Sequence, residues 1–287
     1  MRLPPLMAVT AGRSGIAVAL IDGPVAVDHP RLAAHALRPL GPPRAQRCGG
    51  GADRACGHGT FVAGILAGAR GAGAPGVCAG CTLLVRPVFG AAPAAPGDVP
   101  GVRPQELAAA ITEVVDAGAH VINLSLALTP HPEGAGVRAL EAALDGAARR
   151  GVITVVAAGN DGTLGGSALT RHPATIPVVA CDTAGRPLDS ANLGRSIGAR
   201  GLCAPGAGVT SLSAGGGCRA LAGTSVAVPF VAGAAALLRS EFPRASGPRV
   251  RHALVAAAGP AARRGAVTPP LLDAWAAHRM LKRSLGS

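Results

Sequence analysis

Apolar residues fall along this chain in two rhythms. Runs at 16–21, 83–88, 120–124, 153–157 and 176–180 are almost continuously apolar, and each closes on a polar residue or a glycine. Strands covered on both faces read this way. Between them lie longer stretches with helical spacing. Residues 104–117 open on Pro104 and carry Leu107, Ile111, Val114 and Val115, while 137–150 end on two arginines before Gly151. Strand, helix and strand in series predict right-handed crossovers. The expected fold is therefore a three-layer α/β arrangement, a mostly parallel twisted sheet with helices on both faces. Residues 1–14 are expected to form an N-terminal arm and 15–287 a single domain, with the loop 90–101 its most mobile segment.

Composition narrows the function classes. Of 287 residues 49% are apolar but only 2% aromatic, so the core must be built from Ala, Val, Leu and Ile. Charged residues make up 15%, too few for a coiled coil or a solvated tail. Lys and Arg number 27 against 15 Asp and Glu, a formal charge of +12, which first suggests a polyanionic partner. The arginines are scattered, however, and there are almost no rings on which bases could stack. Nucleic acid is not expected as a partner. The longest uncharged apolar run, 226–238, is interrupted by Pro229 and Gly233 and is too short to span a bilayer. No apolar signal segment precedes residue 16. No membrane association and a cytoplasmic location are expected.

Seven cysteines leave at least one unpaired within the monomer. Cys78 and Cys81 form a C-x-x-C, and Cys48 and Cys56 are the other near pair. Their spacing suits zinc poorly. Reduced thiols are the preferred reading, with a Cys48–Cys56 disulfide the second choice.

Ligand and catalytic sites on such a sheet lie past the carboxyl ends of its strands. Asp22-Gly23 follows the first run, and Cys56-Gly57-His58-Gly59-Thr60 opens an apolar helix at 61–66. The run 153–157 leads into Gly159-Asn160, and Gly223-Thr224-Ser225 opens the apolar helix 226–238. A carboxylate, an imidazole, an amide and a hydroxyl thus stand at four such junctions. Singly each has an innocent use: Asp22 and Asn160 in turns, His58 and Ser225 as helix caps. Together they can form a nucleophilic triad, whatever their order in the chain. His58 would take the proton of Ser225, Asp22 would orient the imidazole, and Asn160 would donate to the developing oxyanion.

These residues resemble the subtilisin-like serine proteases, or subtilases. The resemblance lies in Asp22-Gly23 closing its apolar run, in Gly57-His58-Gly59-Thr60, and in Gly223-Thr224-Ser225. It continues through Val121-Ile122-Asn123-Leu124-Ser125-Leu126 and Ala157-Ala158-Gly159-Asn160, and family-like sequence extends from about Gly15 to Ala274. It implies a serine endopeptidase with Asp22, His58 and Ser225 as triad, no cofactor, and an oxyanion hole at Asn160 and the Thr224–Ser225 backbone. It also implies that substrate pairs as an added strand along Ser125, Leu126 and Ala127, with Ala157, Ala158 and Gly159 as pocket walls.

Asp22-Gly23-Pro24-Val25 with His29-Pro30, and Leu202-Cys203-Ala204-Pro205-Gly206, further resemble the proteases of cyanobactin maturation, which cut precursor peptides of ribosomally made natural products. Residues 66–82 leave no room for the helical lid of the macrocyclising members, so hydrolysis is expected. The family's calcium loop lacks oxygen side chains at 69–79, so no metal is expected. So little chain precedes Asp22 that no inhibitory pro-domain is expected either.

Arg171 falls where relatives carry glycine at the pocket base. It either selects an acidic substrate residue or is a solvated loop arginine, the plainer alternative. The positive charge favours an acidic precursor peptide as partner. The rival readings are a general protein-degrading subtilase and a catalytically dead peptide-binding scaffold.

Overall fold

The protein is described by a computed structural model, covering residues 1–32, 37–48, 53–71, 73–89, 101–128, 134–258 and 265–285, without the side chain of Arg44. The loop 90–101 falls outside these residues apart from Gly101. Seven strands form one sheet: β1 (Ala17–Asp22), β2 (Leu37–Pro39), β3 (Thr82–Pro87), β4 (Val121–Leu124), β5 (Ile153–Ala157), β6 (Thr175–Cys181) and β7 (Leu202–Pro205). Their order is β2-β3-β1-β4-β5-β6-β7, and every neighbouring pair is parallel. A separate antiparallel hairpin joins β8 (Val209–Leu212) to β9 (Cys218–Leu221). The helices are α1 (Pro4–Val9), α2 (Arg54–Ala67), α3 (Pro104–Asp116), α4 (Ala135–Arg149), α5 (Ala168–Arg171), α6 (Arg195–Arg200), α7 (Thr224–Glu241), α8 (Gly247–Ala257) and α9 (Ala274–Leu285).

The pleat of β1 explains the three layers. All six of its residues are buried, and alternate ones serve different cores because successive side chains leave a strand on opposite faces. Val18 and Leu20 join Phe61 of α2 and Val231 of α7. Ala19 and Ile21 join Leu107 and Ile111 of α3 and Leu140 of α4. The five expected strands coincide with β1, β3, β4, β5 and β6 to within a residue or two. β2 and β7 escaped notice because they are three and four residues long and contain Pro39 and Pro205. Leu3 and Leu6, in and beside α1, are fully buried in the core that also holds α7 and α9. Arg70 fastens this segment further, donating to the carbonyls of Met7 and Thr10 at 2.7 and 3.1 Å. No described helix is long and apolar enough to cross a membrane.

One cysteine reading needs correction. Cys48 and Cys56 form a disulfide, with Cα atoms 5.3 Å apart; the thiol state preferred from the sequence holds for Cys78, Cys81, Cys181, Cys203 and Cys218. The cause is the start of α2. Asp53 caps it, its carboxylate accepting from the Cys56 N–H at 3.0 Å. That turn brings Cys56 back onto Cys48, within the separation a disulfide bridges. Alkylation of the unfolded, unreduced protein should therefore modify five of its seven cysteines, with a 48–56 cross-link seen by mass spectrometry; seven modified thiols would rule the bond out.

Candidate active site

Strand order reverses direction at β1, which has β3 on one side and β4 on the other. A crevice opens at the carboxyl ends of strands where this happens. Asp22 is the last residue of β1, and Ser125 follows the last residue of β4.

His58 sits in α2, five positions past its cap, and its ring packs on Asp22: Nδ1 lies 2.7 Å from Oδ1. Asp22 is almost wholly buried, its side chain 1% exposed, while the imidazole keeps 29%. The Gly23 N–H also donates to Asp22 Oδ1, at 2.6 Å. Two glycines make this approach possible. A Cβ on Gly59 would stand 2.5 Å from the Gly23 carbonyl oxygen, and one on Gly23 would stand 2.1 Å from the Ala55 carbonyl oxygen. Any side chain at either place would push α2 off the end of β1.

The protonation of His58 follows from three influences. Burial disfavours the charged ring, the charge and hydrogen bond of Asp22 favour it, and the positive charge of Arg219 opposes it. Asp22 prevails, and the pKa lies above its ordinary value. With Nδ1 committed to Asp22, Nε2 is the nitrogen left for proton transfer.

Ser225 occupies the first turn of α7, behind Gly223 at the cap position, and no side chain caps the helix. Neither His58 nor Ser225 is consumed as a cap. In an ordinary helix the Ser225 carbonyl would accept from the N–H four residues on. That residue is Pro229, which has no N–H. The Ser125 hydroxyl takes its place, donating to the Ser225 carbonyl at 2.8 Å, while Asn123 Nδ2 donates to the same hydroxyl at 2.9 Å. The end of β4 thereby fixes the turn that presents Ser225.

Asn160 is fixed from the same turn. The Thr224 N–H donates to its Oδ1 at 2.8 Å, which leaves the Nδ2 hydrogens unused by that bond. The Thr224 hydroxyl accepts from the Gly159 N–H at 3.3 Å. Thr224 thus orients Asn160, and its own N–H is already engaged. Gly159 and Gly223 both have positive φ, 106° and 129°, a conformation suited to glycine. A Cβ on Gly223 would stand 3.2 Å from Asn160 Oδ1.

The expected substrate segment divides by role. Ser125 and Leu126 are buried, and Ala127 is exposed. The Ala127 carbonyl accepts from the Val102 N–H at 3.1 Å, so a strand-like neighbour already lies along it. Ala157 and Ala158 are buried beside it at the end of β5. The exposed Arg171 side chain donates to the Gly166 carbonyl at 2.7 Å. Among the described residues no three His, Cys, Asp or Glu side chains are grouped as metal ligands.

Two residues that the sequence reading passed over organise this site. Asn123 was visible in its motif but given no task. Asn192 accepts from the N–H groups of Asp161 and Thr163 at 2.9 and 3.1 Å, and bonds the Asp161 carboxylate. It holds the loop that carries Asn160, and nothing in the local sequence marked it out.

A parallel three-layer fold that carries an Asp–His couple at the end of its first strand and a serine in the first turn of α7 has the frame of a class of serine peptidases. The chain belongs to the subtilase family, whose model matches residues 13–280. It is 34% identical over 199 residues to subtilisin Savinase of Lederbergia lenta, covering 69% of this chain and 68% of that protein. It spans about half the length of the longer alkaline proteases it also matches. Among solved structures, a serine-to-alanine variant of the protease domain of PatA superposes with a TM-score of 0.84 at 34% identity, covering 95% of this chain and 97% of that one. The prenylagaramide maturation protease PagA superposes at 0.83 with 30% identity, covering 98% of each chain.

If His58 is the base, it must be neutral to act, so activity falls as pH drops through its pKa. The acid limb of kcat/KM should have its midpoint above about 6.5, and Asp22→Asn should move the residual activity's midpoint to lower pH. A limb unmoved by Asp22→Asn would remove Asp22 as the source of the shift.

Proposed function

We propose that this chain is an endopeptidase that hydrolyses a precursor peptide of a ribosomally made, modified natural product through an acyl-enzyme. Ser225 Oγ attacks the scissile carbonyl carbon as its proton passes to His58 Nε2. Asn160 Nδ2 and the Ser225 N–H receive the oxyanion that forms. The imidazolium, steadied by Asp22, then protonates the departing amine, and water releases the acyl group by the reverse proton path. The observation that carries this reading is the 2.7 Å Asp22–His58 contact, and it is supported by the first turn of α7, which carries Ser225 and holds Asn160 through the Thr224 N–H.

The substrate class is supported by the likeness to PatA, named a patellamide maturation protease, and to PagA. Hydrolysis rather than ring closure is supported by the segment between α2 and β3, whose described residues form turns and bridges without a helix. The reading keeps the enzyme in the cytoplasm, where five of its cysteines would remain thiols and Cys48–Cys56 would be the bond exposed to reduction.

A fluorophosphonate should label Ser225, and Ser225→Ala should abolish both labelling and peptide cleavage. Asn160→Ala should lower kcat by about 10²–10³-fold. Cleavage that survives Ser225→Ala would end this mechanism. With a net charge of +12, cleavage of an acidic precursor should also weaken as salt is added, whereas a neutral analogue should respond little; equal salt dependence would remove the acidic-partner part of the reading.

A further inference from the structure

We propose that Arg219 is a specificity-determining residue that binds a substrate carboxylate beside His58. The inference rests on the peptidase reading and adds the chemistry of one substrate side chain. Arg219 lies in β9 and is exposed. It pairs across the hairpin with Ser211 of β8. Ser211 is buried, and its hydroxyl donates to the Phe61 carbonyl of α2 at 2.8 Å. That bond ties the hairpin to α2 and fixes the place of Arg219 over the start of the helix. There Nη1 stands 3.3 Å from the point a Cβ on Gly57 would occupy, next in sequence to His58. A side chain at 57 would crowd the guanidinium.

The charged groups that act on His58 are Asp22 from β1 and Arg219 from β9, and they act in opposite senses. Among the described residues, the Arg219 side chain makes no hydrogen bond and joins no ion pair. An exposed guanidinium beside a base that must become positively charged works against proton transfer. A substrate carboxylate bound to its two-pronged donor face would remove that opposition and give geometric selectivity together. Arg171, the earlier candidate for such a task, already donates to the Gly166 carbonyl.

The test takes a peptide cleaved by the wild type and moves a single Glu through three positions on each side of the scissile bond, with Gln at the same place as control. One position should favour Glu over Gln by about tenfold or more in kcat/KM. Arg219→Gln should erase that preference, and Arg219→Glu should reverse it in favour of Lys. On the Gln peptides, Arg219→Gln should also shift the acid limb of kcat/KM to higher pH, because one opposing charge on His58 is gone. Fluorophosphonate labelling of each variant shows that the site remains formed. A wild type with no Glu preference, a preference that persists in Arg219→Gln, or a shifted pH limb without loss of preference would each overturn the subsite. A wild type that neither labels nor cleaves would overturn the peptidase reading, and the subsite with it.

Discussion

The missing N–H of Pro229 sets the terms for much of this site. A proline inside a helix removes one donor and leaves one carbonyl without its partner. Here that carbonyl belongs to Ser225, and Ser125 supplies the hydrogen bond. An unsatisfied group of this kind costs about 1–3 kcal/mol when water is excluded, so the strand end and the helix start are coupled by more than shape. The proline that removes a donor from α7 forces a cross-link between the two elements that frame the crevice. Asn123 then restrains Ser125, and the helix turn itself restrains Asn160 through Thr224.

The second constraint is proximity of backbones. Asp22 and His58 meet because β1 and α2 approach as closely as Gly23 and Gly59 allow. The Asp22 carboxylate is held almost out of water, and its charge prevails over the cost of burying a protonated ring. Burial alone would lower the basicity of His58, and Arg219 pulls in the same direction. The base is therefore poised by opposing influences.

Most of the frame was legible in the sequence because strands covered on both sides must be continuously apolar, as 16–21 and 153–157 are. The four junction residues were legible because each follows such a run or opens an apolar helix. Other features depend on geometry that no local pattern carries. β7 is short and ends on Pro205, so its few residues do not read as a strand. Arg219 comes over the start of α2 only through the fold-back of the β8–β9 hairpin, and Asn192 reaches the Asn160 loop only across the ends of two strands. The Cys48–Cys56 bond depends on the turn at Asp53, which the spacing of the two cysteines does not carry.

The Cys48–Cys56 bond has a bearing on how the site would tolerate a cut in the backbone. It encloses a short stretch lying between Asp22 upstream and His58 downstream. A single backbone nick inside that stretch would leave the two fragments covalently joined, and the carboxylate could stay seated against its imidazole. Under reducing conditions the same nick would part the couple into separate polypeptides. Covalent continuity between the two halves of the couple is thus lent by one sulfur bridge and withdrawn with it.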